Sequence, residues 1–163
     1  MDLFVFYFIL YLSCLLLQGL GYFLLSNWSP NFLLLLVIYI SFLKGPLTGV
    51  VNGFLIGFFA DIFSFNPFGT QSFLFTVISY ITGRQKGRIA ENNPFAQTVF
   101  TVIIAILYLL LYLFMLRLLP KIIRKPIGIA DFSFLLGTAL SAALFFRLID
   151  RWYILWQKII SNR

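Results

Sequence analysis

Long apolar runs alternate with short polar gaps along this chain, and the run lengths set the first expectation. The runs occupy about residues 3–25, 30–43, 46–63, 70–83, 94–119 and 132–149, followed by a basic tail at 150–163. As helices, the first and fifth are long enough to cross a hydrocarbon core of about 30 Å. The second and fourth are short, rising only about 20 Å at the helical rise per residue. The gaps hold turn formers: Ser26-Asn27-Trp28-Ser29-Pro30, Lys44-Gly45-Pro46, the stretch Ser64 to Gly69, and the very polar stretch Arg84 to Asn93. All six prolines (Pro30, Pro46, Pro67, Pro94, Pro120 and Pro126) fall in gaps or at the first residue of a run. None interrupts a span, in keeping with the missing donor that excludes proline from helix interiors. The pattern predicts an all-α integral membrane protein, a compact six-helix transmembrane bundle forming one domain over residues 1–163.

The third run reads GPLTGVVNGFLIGFFAD. Glycine recurs at every fourth position, Gly45, Gly49, Gly53 and Gly57, and the next step lands on Asp61. Residues four apart on a helix share a face, drifting by about 40° per step. The stripe is thus a side-chain-free furrow ending at a carboxylate. Each glycine would cost a soluble helix roughly 1 kcal/mol relative to alanine; between helices in lipid, small residues allow backbone-to-backbone approach. Two readings stand: close packing within this chain, or reception of a helix from another protein. The short second and fourth runs are tolerated at membrane depth only when surrounded by protein. That places the middle third in the bundle interior, with the glycines and Asp61 as its structural centre and helices one and five more exposed to lipid.

Asp61 has its own two readings. A lone intramembrane carboxylate is costly and is normally paired or functional. It can bond backbone N–H groups of the Ser64–Gly69 turn, or it can serve proton relay or ligand binding. No second carboxylate lies within one helical turn of it, which argues against paired acid–base catalysis. Asn52, Asn66, Gln71, Ser72, Gln97 and Thr98 can hydrogen-bond between helices, but they are too scattered to define a substrate site.

Composition agrees with the membrane reading. Hydrophobic residues make up 61% of the chain and charged ones 10%, more apolar surface than a soluble core of this size can hide. The formal charge of +7 speaks for topology and anionic membrane lipids, not for nucleic acid, because the basic residues flank apolar spans. There is no histidine and a single cysteine, Cys14, so His- or Cys-based metal sites, cysteine nucleophiles and Ser-His-Asp triads lack partners. No enzyme, cofactor or metal is expected. Asp2 stands where a signal peptide carries positive charge and no small-residue cleavage site follows, so the first segment is expected to stay as a membrane helix. With both termini inside, eight of the 12 Lys and Arg residues lie on the inner side, as the positive-inside rule favours. The exception is the outer connector after helix five, with Lys121, Arg124 and Lys125, which could contact an extracytoplasmic partner.

The run Gly49-Val50-Val51-Asn52-Gly53-Phe54-Leu55-Ile56-Gly57-Phe58-Phe59-Ala60-Asp61, followed by Pro67-Phe68-Gly69, resembles the signature of the rod shape-determining MreD family. The segment layout resembles that family along essentially the whole chain. The resemblance implies a non-enzymatic inner-membrane protein of the bacterial cell-elongation machinery. Members work with MreC and help connect MreB filaments with the glycosyltransferase RodA and its class B transpeptidase. The fold of the family is similar to that of substrate-binding membrane subunits of energy-coupling-factor transporters. A small-solute-binding transporter subunit is accordingly the alternative function.

Overall fold

A computed structural model describes residues 2–25, 30–63, 67–87, 94–118, 137–138, 141–142, 144–149 and 151–152. The described residues form helices joined by turns, without a strand. Five helices are bounded: α1 (Asp2–Leu25), α2 (Phe32–Lys44), α3 (Pro46–Phe63), α4 (Thr70–Gly83) and α5 (Pro94–Leu118). The helical residues between 137 and 152 make up a sixth, α6. The connector residues Lys121, Arg124 and Lys125 lie outside the described residues. Two helical stretches, Pro46–Phe63 and Ala96–Leu118, are long and apolar enough to cross a membrane.

Local chemistry sets the helix ends. Asn31 caps α2, its Oδ1 accepting from the Leu34 N–H at 2.9 Å, the arrangement that satisfies an orphan donor of the first turn. At the other end Gly45 donates its N–H to the Ser41 carbonyl at 2.9 Å with φ +92° and ψ −179°, a backbone region almost confined to glycine. Pro46 then opens α3 as its first residue, where its missing N–H costs nothing. Gly45 is not the first step of a four-glycine helical stripe; it lies outside α3 and ends α2, because its conformation is non-helical.

Contacts between helices fix their directions. On α3 and α4, Gly57 faces Ser72, Gly53 faces Ser79 and Pro46 faces Gly83, so the two run antiparallel. Phe42 of α2 meets Phe100 of α5, while Tyr108 of α5 meets Phe75 of α4, so α5 runs against both. The Asn31 N–H donates to Thr138 Oγ1 at 3.2 Å and Tyr39 stacks on Phe146 at 5.9 Å, which sets α6 alongside α2 in the same direction. One end of the bundle therefore holds Asn31, Asp61, Gln71 and Thr138. The opposite end holds Lys44, Arg84 and Lys86.

The centre is α2. Every residue from Leu33 to Phe42 is buried, and Leu34, Leu35, Leu36 and Ile38 join Leu74, Phe75, Ile78, Ile104 and Tyr108 in one apolar cluster. By contrast α3 buries Gly49, Gly53, Ile56, Gly57, Ala60 and Asp61 while Val51, Phe54, Leu55, Phe58 and Ile62 are exposed. The expectation that the glycine helix forms the centre is thereby revised. A helix with one bare face and one face of large side chains is one-sided, whereas the all-round apolar α2 is the one that neighbours surround.

Candidate functional site

Asp61 sits at the last turn of α3, only 3% exposed, and its acceptors point at the start of α4. Oδ2 accepts from the Gly69 N–H at 3.1 Å, the Ser72 N–H at 3.0 Å and the Ser72 hydroxyl at 2.7 Å. Oδ1 accepts from the Gln71 N–H at 2.9 Å. These are the donors that a helix leaves orphaned at its N-terminus. The N-cap residue of α4, Gly69, has no side chain to satisfy them and adopts φ +93°, which glycine reaches without a Cβ penalty. The carboxylate of one helix thus caps the next. It also places negative charge at the positive end of the α4 dipole. One sequence expectation had Asp61 bonding backbone N–H groups of the Ser64–Gly69 turn; the bond from Gly69 is of that kind, and the others continue into the first turn of α4.

The glycines lie directly beside this junction. A Cβ at Gly57 would come within 2.5 Å of Ser72 Cα and 2.7 Å of the Gln71 carbonyl oxygen. One at Gly53 would overlap the Ser79 hydroxyl and stand 2.7 Å from the Phe75 carbonyl oxygen. At Gly49 the drift of the stripe turns the contact to α2, where a Cβ would meet Ser41 Oγ at 2.7 Å. Gly83 completes the pattern from the α4 side, its Cβ position lying 2.5 Å from Pro46 Cα. Separations this short mean that α3 and α4 touch backbone to backbone along their lengths. Cα–H groups facing carbonyl and hydroxyl oxygens supply a weak polar component to such contacts.

Further side chains tie the hairpin to the rest of the molecule. Gln71 donates its N–H to Asp61 and accepts with Oε1 from the Tyr108 hydroxyl at 2.9 Å, which connects the cap to α5. Tyr108 in turn stacks on Tyr112 at 6.3 Å with the rings 5° from parallel. On the same end, the Leu33 N–H donates to Gln18 Oε1 at 3.3 Å, which joins α1 to the start of α2. Asn52, by contrast, bonds locally among the described residues, its amide donating to the Thr48 carbonyl at 2.8 Å.

The structure brings Gly49, Gly53, Gly57 and Asp61 to one face of α3 and leaves Gly45 at the opposite end of the hairpin. Sequence reasoning did not place the receiving surface, Ser41 on α2 and Ser72, Ser79 and Gly83 on α4. Its signal was the recurrence of small residues at 72, 79 and 83, one face of a helix at steps of seven and four. Chemically, the cluster is a set of donors converging on one carboxylate. Among the described residues there is no group of three His, Cys, Asp or Glu that could hold a metal.

In comparisons with known proteins, the family model described as rod shape-determining protein MreD matches residues 1–159. No curated protein and no solved structure gives a significant match.

Proposed function

Because the chain belongs to the rod shape-determining protein MreD family, with a role in determining rod shape, we propose that it acts as a non-enzymatic, multi-pass scaffold in the bacterial inner membrane. In this reading it binds MreC directly and helps couple MreB filaments to RodA and its class B transpeptidase. The Lys44 end faces the cytoplasm, by the positive-inside rule. The connector bearing Lys121, Arg124 and Lys125 then faces outward and meets the extracytoplasmic part of a partner.

The observation that carries this reading is the α3–α4 junction, where the Asp61 carboxylate is committed to capping a helix and the glycines to backbone contact. Groups so engaged hold a shape. Since the bare faces of Gly49, Gly53 and Gly57 are filled by α2 and α4 of the same chain, the partner helix is received elsewhere. Its place is against outward-facing side chains on the frame that the glycines make rigid. The test is purification of the full chain from membranes in mild detergent, with MreC co-expressed. Retention of MreC is expected for the wild type, with reduced chain level and loss of rod shape for Gly57→Leu. Absence of MreC at normal chain level would overturn the scaffold reading, and a tightly bound small molecule in its place would favour a solute-binding subunit.

A further inference from the structure

The end of the bundle opposite Asp61 gathers cations beside an apolar cleft. Lys44 closes α2, and its neighbour Gly45 lies against the Lys86 stem, where a Cβ would meet Lys86 Cδ at 3.5 Å. Arg84 follows α4 with its guanidinium carbon 5.8 Å from the centre of the Tyr80 ring, a cation–π distance. Arg147 and Arg151 are exposed on α6, which runs alongside α2 toward this same end. Among the described residues none of these cations has a carboxylate partner; Asp61 lies at the far end of α3, engaged with Gly69, Gln71 and Ser72.

Between α2, α5 and α6 the surface opens into a cleft lined by Ile38, Tyr39, Phe42, Leu43, Gln97, Phe100, Thr101 and Phe146, largely apolar but with Gln97 and Thr101 in its wall. Leu43 precedes Lys44 and Phe146 precedes Arg147, so two residues that line the cleft each have a cation as their next neighbour in the chain. We propose that this end binds an anionic phospholipid, with one acyl chain in the cleft and the phosphate held by Lys44 and Arg147, supported by Arg84 and Lys86. Each half of the site narrows the ligand. Clustered cations at a membrane surface select negative headgroups, and a largely apolar cleft open to lipid is filled by hydrocarbon. A soluble phosphate would leave the cleft unused, and a neutral lipid would leave the cations unused.

The test uses the full chain in mild detergent, offered equimolar phosphatidylglycerol and phosphatidylcholine, with retained lipid counted by native mass spectrometry. A parallel arm adds inorganic phosphate. The wild type is expected to retain phosphatidylglycerol in preference, and inorganic phosphate should not displace it. Removing cations by K44Q, then R147Q, then R84Q with K86Q, should reduce the preference by about fivefold for each one lost. Leu43→Trp, which fills the cleft from a partly exposed position, should lower retention of both lipids. Arg117→Gln, at the Asp61 end, should change neither. A wild-type preference persisting in the quadruple variant, or unchanged retention in Leu43→Trp, would overturn the proposal. So would displacement by inorganic phosphate, which would identify a soluble anion as the ligand. Thermal melting of each variant alongside Arg117→Gln separates loss of the site from loss of the fold.

Discussion

Replacing Asp61 separates a structural carboxylate from a chemical one. Among the described residues, donors converge on both of its oxygens: three hydrogen bonds reach Oδ2 and one reaches Oδ1. In Asp61→Asn the amide oxygen can take the Oδ2 place and keep three donors, while the NH₂ group then faces the Gln71 N–H. One buried donor left unmade costs about 1–3 kcal/mol, and losing the charge at the helix N-terminus adds up to about 2 kcal/mol. Asp61→Asn is therefore expected to destabilise by about 2–4 kcal/mol. Asp61→Ala orphans the N–H groups of Gly69, Gln71 and Ser72 together and should cost about 4–6 kcal/mol, tempered by water entering the vacated space. For a domain whose whole stability is about 5–15 kcal/mol, the alanine variant should be scarce in the membrane and the asparagine variant merely reduced. Unfolding of the purified protein in mixed micelles, together with membrane level and cell shape, measures both. Two results would refute the reasoning. Asp61→Ala within about 0.5 kcal/mol of wild type would mean the cap is dispensable. Asp61→Asn with wild-type stability but round cells would assign the side chain to proton or ligand chemistry.

The glycines should divide by what surrounds them. Gly57→Ala drives a methyl into the Ser72 backbone and should destabilise by about 1–3 kcal/mol or more, whereas Gly19→Ala, with nothing within 4 Å of its Cβ position, should be neutral or stabilise by up to about 1 kcal/mol; thermal melting of the two variants compares them directly. Gly69 has open space around it but φ +93°, so Gly69→Ala should cost about 1–2 kcal/mol from backbone strain alone and Gly69→Asn less. Tyr108→Phe removes the bond to Gln71 and should cost about 0.5–1.5 kcal/mol; near-additivity with Gln71→Ala in a double-mutant cycle would show that the two side chains do not cooperate.

The helix ends and the membrane character were legible because prolines, glycines and run lengths act locally. Pro46 and Pro94 stand at the first positions of α3 and α5, and α2 ends at a glycine whose φ hardly any other residue adopts. The close approach on Gly49, Gly53 and Gly57 could be anticipated for the same reason, since a bare face is written in the residues. Which helix fills that face could not. The identity of the neighbour depends on loop lengths and crossing geometry, and the answering residues Ser41, Ser72 and Ser79 are too ordinary to stand out. The centrality of α2 was obscured by its shortness: FLLLLVIYISFLK shows no preferred side, and that uniformity was itself the sign of a helix enclosed all round. Asp61 was conspicuous, but apart from the Ser72 hydroxyl its described partners are backbone N–H groups, which carry no sequence signal beyond the absence of a capping side chain at Gly69.

That borrowed cap bears on how the protein enters the membrane during synthesis. α4 begins Thr70-Gln71-Ser72 and lacks a cap of its own, while α3 carries a carboxylate that is expensive to leave in hydrocarbon. Each segment is a poor candidate for stable residence by itself, and each supplies what the other lacks. The six residues joining them, 64–69, keep the two within reach from the moment both have been translated. They are therefore expected to leave the insertion machinery as one hairpin, with the carboxylate relieved only once the second helix docks.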